Sequence, residues 1–114
     1  MRYLLDTCVI LWALEGNTNK IKDFIGIIEN PNNEIYISVI SYWEIVIKKS
    51  LGKLKAPDNF LETVEAAGFE KLNLEFQHIA HLQSLPLLHN DPFDRLLIAQ
   101  SLSENCKLLT TDAQ

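Results

Sequence analysis

Three short apolar runs set the limits on how this chain folds: Tyr3-Leu4-Leu5, Ile35-Tyr36-Ile37-Ser38-Val39 and Lys107-Leu108-Leu109-Thr110-Thr111. Each has the length of a strand and not of a buried helix, and each is followed closely by a carboxylate. Between them, apolar residues recur at helical spacing, as in Ile21, Phe24, Ile25 and Ile28. Strands that alternate with helices in this way build a parallel sheet covered on both faces.

The expected elements follow from local signals. Residues 2–5 read as a strand, and Asp6-Thr7 caps a helix over 7–15 that Gly16-Asn17 ends. A helix over 20–29 and the turn Asn30-Pro31-Asn32-Asn33 lead to a strand over 35–39. Ser41 and Glu44 have capping-box spacing, which starts a helix at Ser41 that runs to Leu51 and stops at Gly52. Pro57-Asp58 opens a helix over 58–67, Gly68 stops it, and 69–74 reads as a weak third strand. Helices over 75–84 and 92–104 follow, the second with Pro92 in its first turn, and 106–110 is the fourth strand. A doubly wound sheet normally continues past this point. The chain stops two residues after Asp112, so a C-terminal edge strand is expected to be missing, leaving an edge open to another chain.

A chain of 114 residues suits one domain, here 1–114, and 47% apolar with 22% charged residues is ordinary for a soluble globular protein. No apolar run approaches the roughly 20 residues that span a bilayer, and with Met1-Arg2 leading straight into the first strand no export signal is expected. A cytoplasmic protein with no membrane partner is expected. Cys8 and Cys106 lie far apart, fit no metal-ligand spacing, and read as reduced core residues. A net charge of −5 argues against coating nucleic acid with a basic surface. Lys48, Lys49, Lys53 and Lys55 nevertheless cluster after Glu44, as either a solvated helix end or a phosphate-facing patch.

The candidate chemistry lies in four acids: Asp6, Glu44, Asp94 and Asp112. Groups just beyond the carboxyl ends of parallel strands converge on one crevice, so acids far apart in sequence can meet there. Such a cluster repels itself unless a cation sits in it, and hard oxygen donors suit Mg²⁺ or Mn²⁺. Each acid also has a plain structural reading. Asp6 can cap a helix, Glu44 can complete its capping box, Asp112 can close a turn, and Asp91 can exchange roles with Asp94 as cap and ligand. Thr7, Ser41 and Thr111 each neighbour an acid, where a hydroxyl serves either the carboxylate or a cap. Arg95 either forms a structural ion pair or meets a phosphate. His78 and His81 stand three apart without further N or S ligands and read as structural, His89 belongs to a helix entry, and Trp12 and Trp43 read as core packing.

These pieces together resemble the PIN-domain ribonucleases, and within them the VapC-type toxins of bacterial toxin–antitoxin pairs. The resemblance rests on Tyr3-Leu4-Leu5-Asp6-Thr7, Ser38-Val39-Ile40-Ser41-Tyr42-Trp43-Glu44-Ile45, Leu51-Gly52-Lys53-Leu54, His89-Asn90-Asp91-Pro92-Phe93-Asp94-Arg95-Leu96-Leu97-Ile98-Ala99-Gln100 and Leu108-Leu109-Thr110-Thr111-Asp112, in this order. It implies a three-layer α/β/α fold with a mostly parallel sheet, and Asp6, Glu44, Asp94 and Asp112 as catalytic and metal ligands around Mg²⁺ or Mn²⁺. It also implies hydrolysis of phosphodiester bonds in RNA (tRNA, rRNA or mRNA), a cognate antitoxin and a homodimer; Thr7, Lys48 and Arg95, from their places beside the acids, are the candidate substrate contacts. A phosphatase of the haloacid dehalogenase type wants a second Asp two residues after the first, where this chain has Cys8. A Rossmann nucleotide binder wants a Gly-rich loop after the first strand, and none is present. An inactive PIN-like module that acts only by binding a partner is the remaining alternative.

Overall fold

The computed structural model describes residues 1–86 and 91–111. Its strands are β1 (Arg2–Leu5), β2 (Glu34–Ser38), β3 (Glu70–Leu72) and β4 (Lys107–Leu109), all parallel, in the order β3-β2-β1-β4. The helices are α1 (Thr7–Leu14), α2 (Ile25–Ile28), α3 (Val39–Ser50), α4 (Phe60–Ala66), α5 (Phe76–Ala80) and α6 (Pro92–Ser103), with a 3₁₀ turn at His81–Ser84.

Alternation along the strands sorts their side chains into two layers. Tyr3, Leu5, Ile35, Ile37 and Leu109 enter one apolar cluster with Val9 and Ile10 of α1, Ile45 of α3, and Phe60 and Val64 of α4. Leu4 points the other way, with Ile40 and Leu97, and Tyr36, Leu72 and Leu108 pack around them. Leu4, Leu5, Val9 and Ile10 have no exposed surface at all, and each aliphatic side chain so buried contributes about 1.5–3 kcal/mol. Helices therefore cover both faces of the sheet, as the alternation of strands and helices predicts.

The order of the strands positions the site. The chain moves outward from β1 to β2 to β3, then returns to the other side of β1 as β4. The direction reverses at β1, so the crevice of an open α/β sheet lies beyond the carboxyl end of that strand. Asp6 is the next residue, and its N–H donates to the Leu109 carbonyl at 3.0 Å, tying this point to β4.

Several boundaries differ from expectation. The helix over 20–29 contracts to α2, because short i→i+3 bonds such as Phe24 N–H to Ile21 O and a turn on the Asn17 side chain take up the earlier residues. The strand over 69–74 shortens to β3, and 58–67 to α4. The segment over 75–84 divides into α5 and the 3₁₀ turn. The largest correction concerns α3, which starts at Val39 and not at Ser41. Its cap is Ser38, whose Oγ accepts from the Ile40 N–H at 3.0 Å. Glu44 thus lies well inside the helix, and the capping-box explanation of that residue falls away. Gly52, at φ +72°, ends α3 in the left-handed conformation that favours glycine.

Candidate active site

Beyond the carboxyl ends of β1 and β4, a cavity of ≈ 260 Å³ is lined by Asp6, Thr7, Cys8, Glu44, Lys48, Asp91, Asp94 and Thr111. Three helices supply the acids: Asp6 leads into α1, Glu44 comes from the middle of α3, and Asp91 and Asp94 come from the start of α6. A larger cleft of ≈ 520 Å³ lies near the start of β2, but Glu29 is its only lining carboxylate among the described residues, so it lacks a convergent acid set.

Asp6 occupies the N-cap position of α1, yet its side chain makes no cap hydrogen bond. Its Oδ2 instead accepts from the Thr110 hydroxyl at 2.7 Å. Asp91 is the cap of α6, accepting from the Phe93 N–H at 2.9 Å. Glu44 is only 5% exposed. Its Oε1 accepts from the Thr7 hydroxyl at 2.7 Å and its Oε2 from the Lys48 ammonium at 2.6 Å. The buried Ser41 hydroxyl lies 3.0 Å from Thr7 Oγ1 and braces the same corner.

The electrostatics follow from this clustering. The hydrogen bond to Glu44 holds the Lys48 ammonium above its ordinary pKa range. Partial burial, then the charges of Asp6 and Glu44, push the Cys8 thiol up. A thiol held protonated is a poor ligand, which leaves hard oxygens as the donor set, and these fit Mg²⁺ or Mn²⁺. Among the described residues, no three His, Cys, Asp or Glu side chains are close enough to grip one ion together. Asp6, Glu44 and Asp94 are therefore gathered into one cavity but not drawn onto a single point.

Of the residues singled out from sequence, Asp6, Thr7, Glu44, Lys48, Asp94 and Thr111 all line the cavity. Asp112 and His89 lie outside the described residues. Arg95 is not among the lining residues, and its guanidinium donates to the Pro86 carbonyl at 3.4 Å. Lys49 pairs with the exposed Asp58 at 2.6 Å, which separates it from Lys48. His78 is fully buried: its Nδ1 accepts from the Glu75 N–H, and Nε2 lies 2.7 Å from Glu104.

Two residues differ from the expectations placed on them, and a third carried none. Cys8 is exposed in the cavity and not in the core, because the first turn of α1 faces the crevice. Trp43 is 52% exposed, edge-on to Phe93 at 5.0 Å, because Ile40, Ser41, Glu44 and Ile45 hold the inward face of α3. Thr110 was not singled out, although its place directly after β4 and beside β1 sets its hydroxyl against Asp6.

The sequence profile of the PIN domain family matches residues 3–114. No curated protein matches the chain. Similar solved structures include VapBC2 from Rickettsia felis bound to a DNA fragment from its promoter, at 19% identity and a TM-score of 0.71, covering 98% of this chain and 89% of that one. A toxin–antitoxin complex from Klebsiella pneumoniae follows at 21% identity and 0.64, covering 98% and 88%. DNA-bound VapBC from Salmonella typhimurium stands at 20% and 0.61, covering 93% and 83%. At these identities the likeness is one of fold.

Proposed function

The chain belongs to the PIN-domain family, and on that premise we propose that it is a divalent-metal-dependent endoribonuclease, the toxin half of a toxin–antitoxin pair. The observation that carries this reading is the convergence of Asp6, Glu44 and Asp94, from three separate helices, on one cavity at the carboxyl end of a parallel sheet. Asp6, Glu44 and Asp94, which line one cavity without meeting at a point, would close onto Mg²⁺ or Mn²⁺ to hold it, with Asp112 as a fourth ligand. When bound, the ion lowers the pKa of a water and offsets charge on the phosphoryl oxygens. The chain's own residues hold the ligands in place: Thr110 on Asp6, and Thr7 with Ser41 on Glu44. Asp91 caps α6, and Asp94, one turn further on, lines the cavity. Lys48 supplies a positive charge for the phosphate, and none of the lining side chains forms a Ser–His or Cys–His nucleophile.

Single-stranded or looped RNA is the proposed substrate, since its phosphates and bases are accessible. Likeness to structures of VapBC supports a cognate antitoxin as partner, with homodimerisation and a cytoplasmic location as parts of the same proposal. The test is incubation of the purified chain with tRNA and rRNA fragments and with DNA of matched sequence, in Mg²⁺ or Mn²⁺ and in EDTA. Cleavage of RNA alone, abolished by EDTA, is expected. Cleavage that persists in EDTA would overturn the metal-dependent reading. A folded chain that cleaves nothing but retains an antitoxin would favour a binding module.

A further inference from the structure

We propose that the Lys48 ammonium is the resident counter-cation of Glu44, that a divalent ion entering the cavity displaces it, and that the displaced ammonium then turns to the RNA phosphate. This rests on the reading of the cavity as a metal-dependent nuclease site. Both carboxylate oxygens of Glu44 are engaged, Oε1 by Thr7 at 2.7 Å and Oε2 by Lys48 at 2.6 Å. The two contacts are not alike. Thr7 is buried and braced by Ser41, whereas the Lys48 side chain is 39% exposed at the end of a flexible stem. Metal can therefore reach Glu44 through Oε2 while Thr7 keeps Oε1 in place.

The charge balance of the cavity points the same way. Among its described lining residues, Asp6, Glu44, Asp91 and Asp94 are acids and Lys48 is the one basic side chain. A buried carboxylate without a compensating charge is costly, so Lys48 keeps the Glu44 corner assembled before metal arrives. Lys48 stands four residues after Glu44 on α3, so the pair forms and separates by side-chain rotation alone. A compact ammonium on a long stem suits such an exchange, where the rigid fork of an arginine would hold the carboxylate more firmly. Once a divalent ion lies against Glu44, the two cations repel at short range, and the ammonium is the one able to move. Metal loading and exposure of a phosphate-binding cation then become one event. Lys48 acts here as a competitor of the metal for Glu44 and, once displaced, as a contact for the phosphate.

The test is Mn²⁺ titration of the full chain, followed by calorimetry and by the Mn²⁺ electron paramagnetic resonance signal, for wild type, Lys48→Met and Lys48→Arg. Removing a unit charge this close to the ion is expected to tighten Mn²⁺ binding about tenfold in Lys48→Met. Lys48→Arg keeps the charge and grips Glu44 more firmly, so it is expected to bind Mn²⁺ no more tightly than wild type. A purely structural role would leave Lys48→Met unchanged or weaken it, and either result overturns the proposal. Equal tightening in Lys48→Arg overturns it as well, since charge would not be the cause. Wild type that binds Mn²⁺ beside an untightened Lys48→Met sinks this inference alone, while wild type that binds none sinks the metal-site reading with it. Should Lys48→Met unfold without metal, its circular dichroism is followed against Mn²⁺. Recovery below the wild-type Kd supports the displacement, and no recovery overturns it.

Discussion

Asp6 shows how much a single hydroxyl can decide. Its carboxylate does not cap α1 but accepts from Thr110, so the strand beside it orients the proposed ligand. Removing such an orienting group typically costs 10–100-fold in metal affinity, so Thr110→Val is expected to weaken Mn²⁺ binding by about that factor, read by calorimetry. The acid was legible in the sequence because it directly follows an apolar run. Its partner was not, since a threonine at a strand end has no motif of its own. A second residue-scale prediction concerns Glu104. The hydrogen bond from His78 holds its carboxyl below the ordinary value near 4.5. A depressed folded value means the contact contributes stability above that ordinary value and loses it as pH falls through the folded one. Urea unfolding should therefore show Glu104→Gln less stable than wild type near neutral pH, with the gap closing in acid. A gap of the same size at every pH would contradict the assignment.

At the scale of elements, α3 carries the most consequence, because it holds Glu44 and Lys48 together. Its start is fixed by Ser38, which is fully buried, accepts from the Ile40 N–H and donates to the Gln100 side chain of α6. Gln100 in turn donates to the Asn73 carbonyl. Ser38→Ala removes a cap and leaves the Gln100 oxygen without that donor, so a loss of about 1–3 kcal/mol is expected in denaturant unfolding. A loss within a few tenths would mean that the cap and the buried bond matter little. The sequence misplaced this start for a physical reason. Ser38 and Ser41 are both serines three residues apart, Val39 and Ile40 suit a strand as well as a helix, and Glu44 stands at capping-box distance from Ser41. Which serine caps is decided by tertiary contact: Gln100 takes Ser38, and Thr7 takes Ser41. By contrast, α6 was legible, because Asp91-Pro92 marks a helix start with little ambiguity and Asp91 caps as expected.

At the scale of the molecule, the order β3-β2-β1-β4 turns four sequence-distant regions into one cavity. The parallel sheet and its two covering layers were legible from strand length and helical spacing. The strand order was not, since nothing local tells β4 to pair beside β1. Exposure on α3 was equally hidden: an apolar Trp43 suggests core, but the helix has one inward face and Ile40, Ser41, Glu44 and Ile45 fill it. Net charge misleads at this scale too, because a chain of −5 gathers four acids into the very cavity where an anionic substrate is proposed to bind. A divalent ion would resolve that conflict, and this makes the proposed metal-dependent RNA cleavage, with Asp6 as a ligand, the central claim. The most direct test is the single-turnover rate of RNA cleavage against Mg²⁺ concentration for wild type and for Asp6→Asn, with circular dichroism confirming the fold of both. Loss of a group whose interaction forms with the reacting centre costs about 100-fold or more, so the predicted result is a Mg²⁺-dependent rate in wild type and a loss of at least that size in a folded Asp6→Asn. Cleavage by folded Asp6→Asn at the wild-type rate and with the same Mg²⁺ dependence would contradict it.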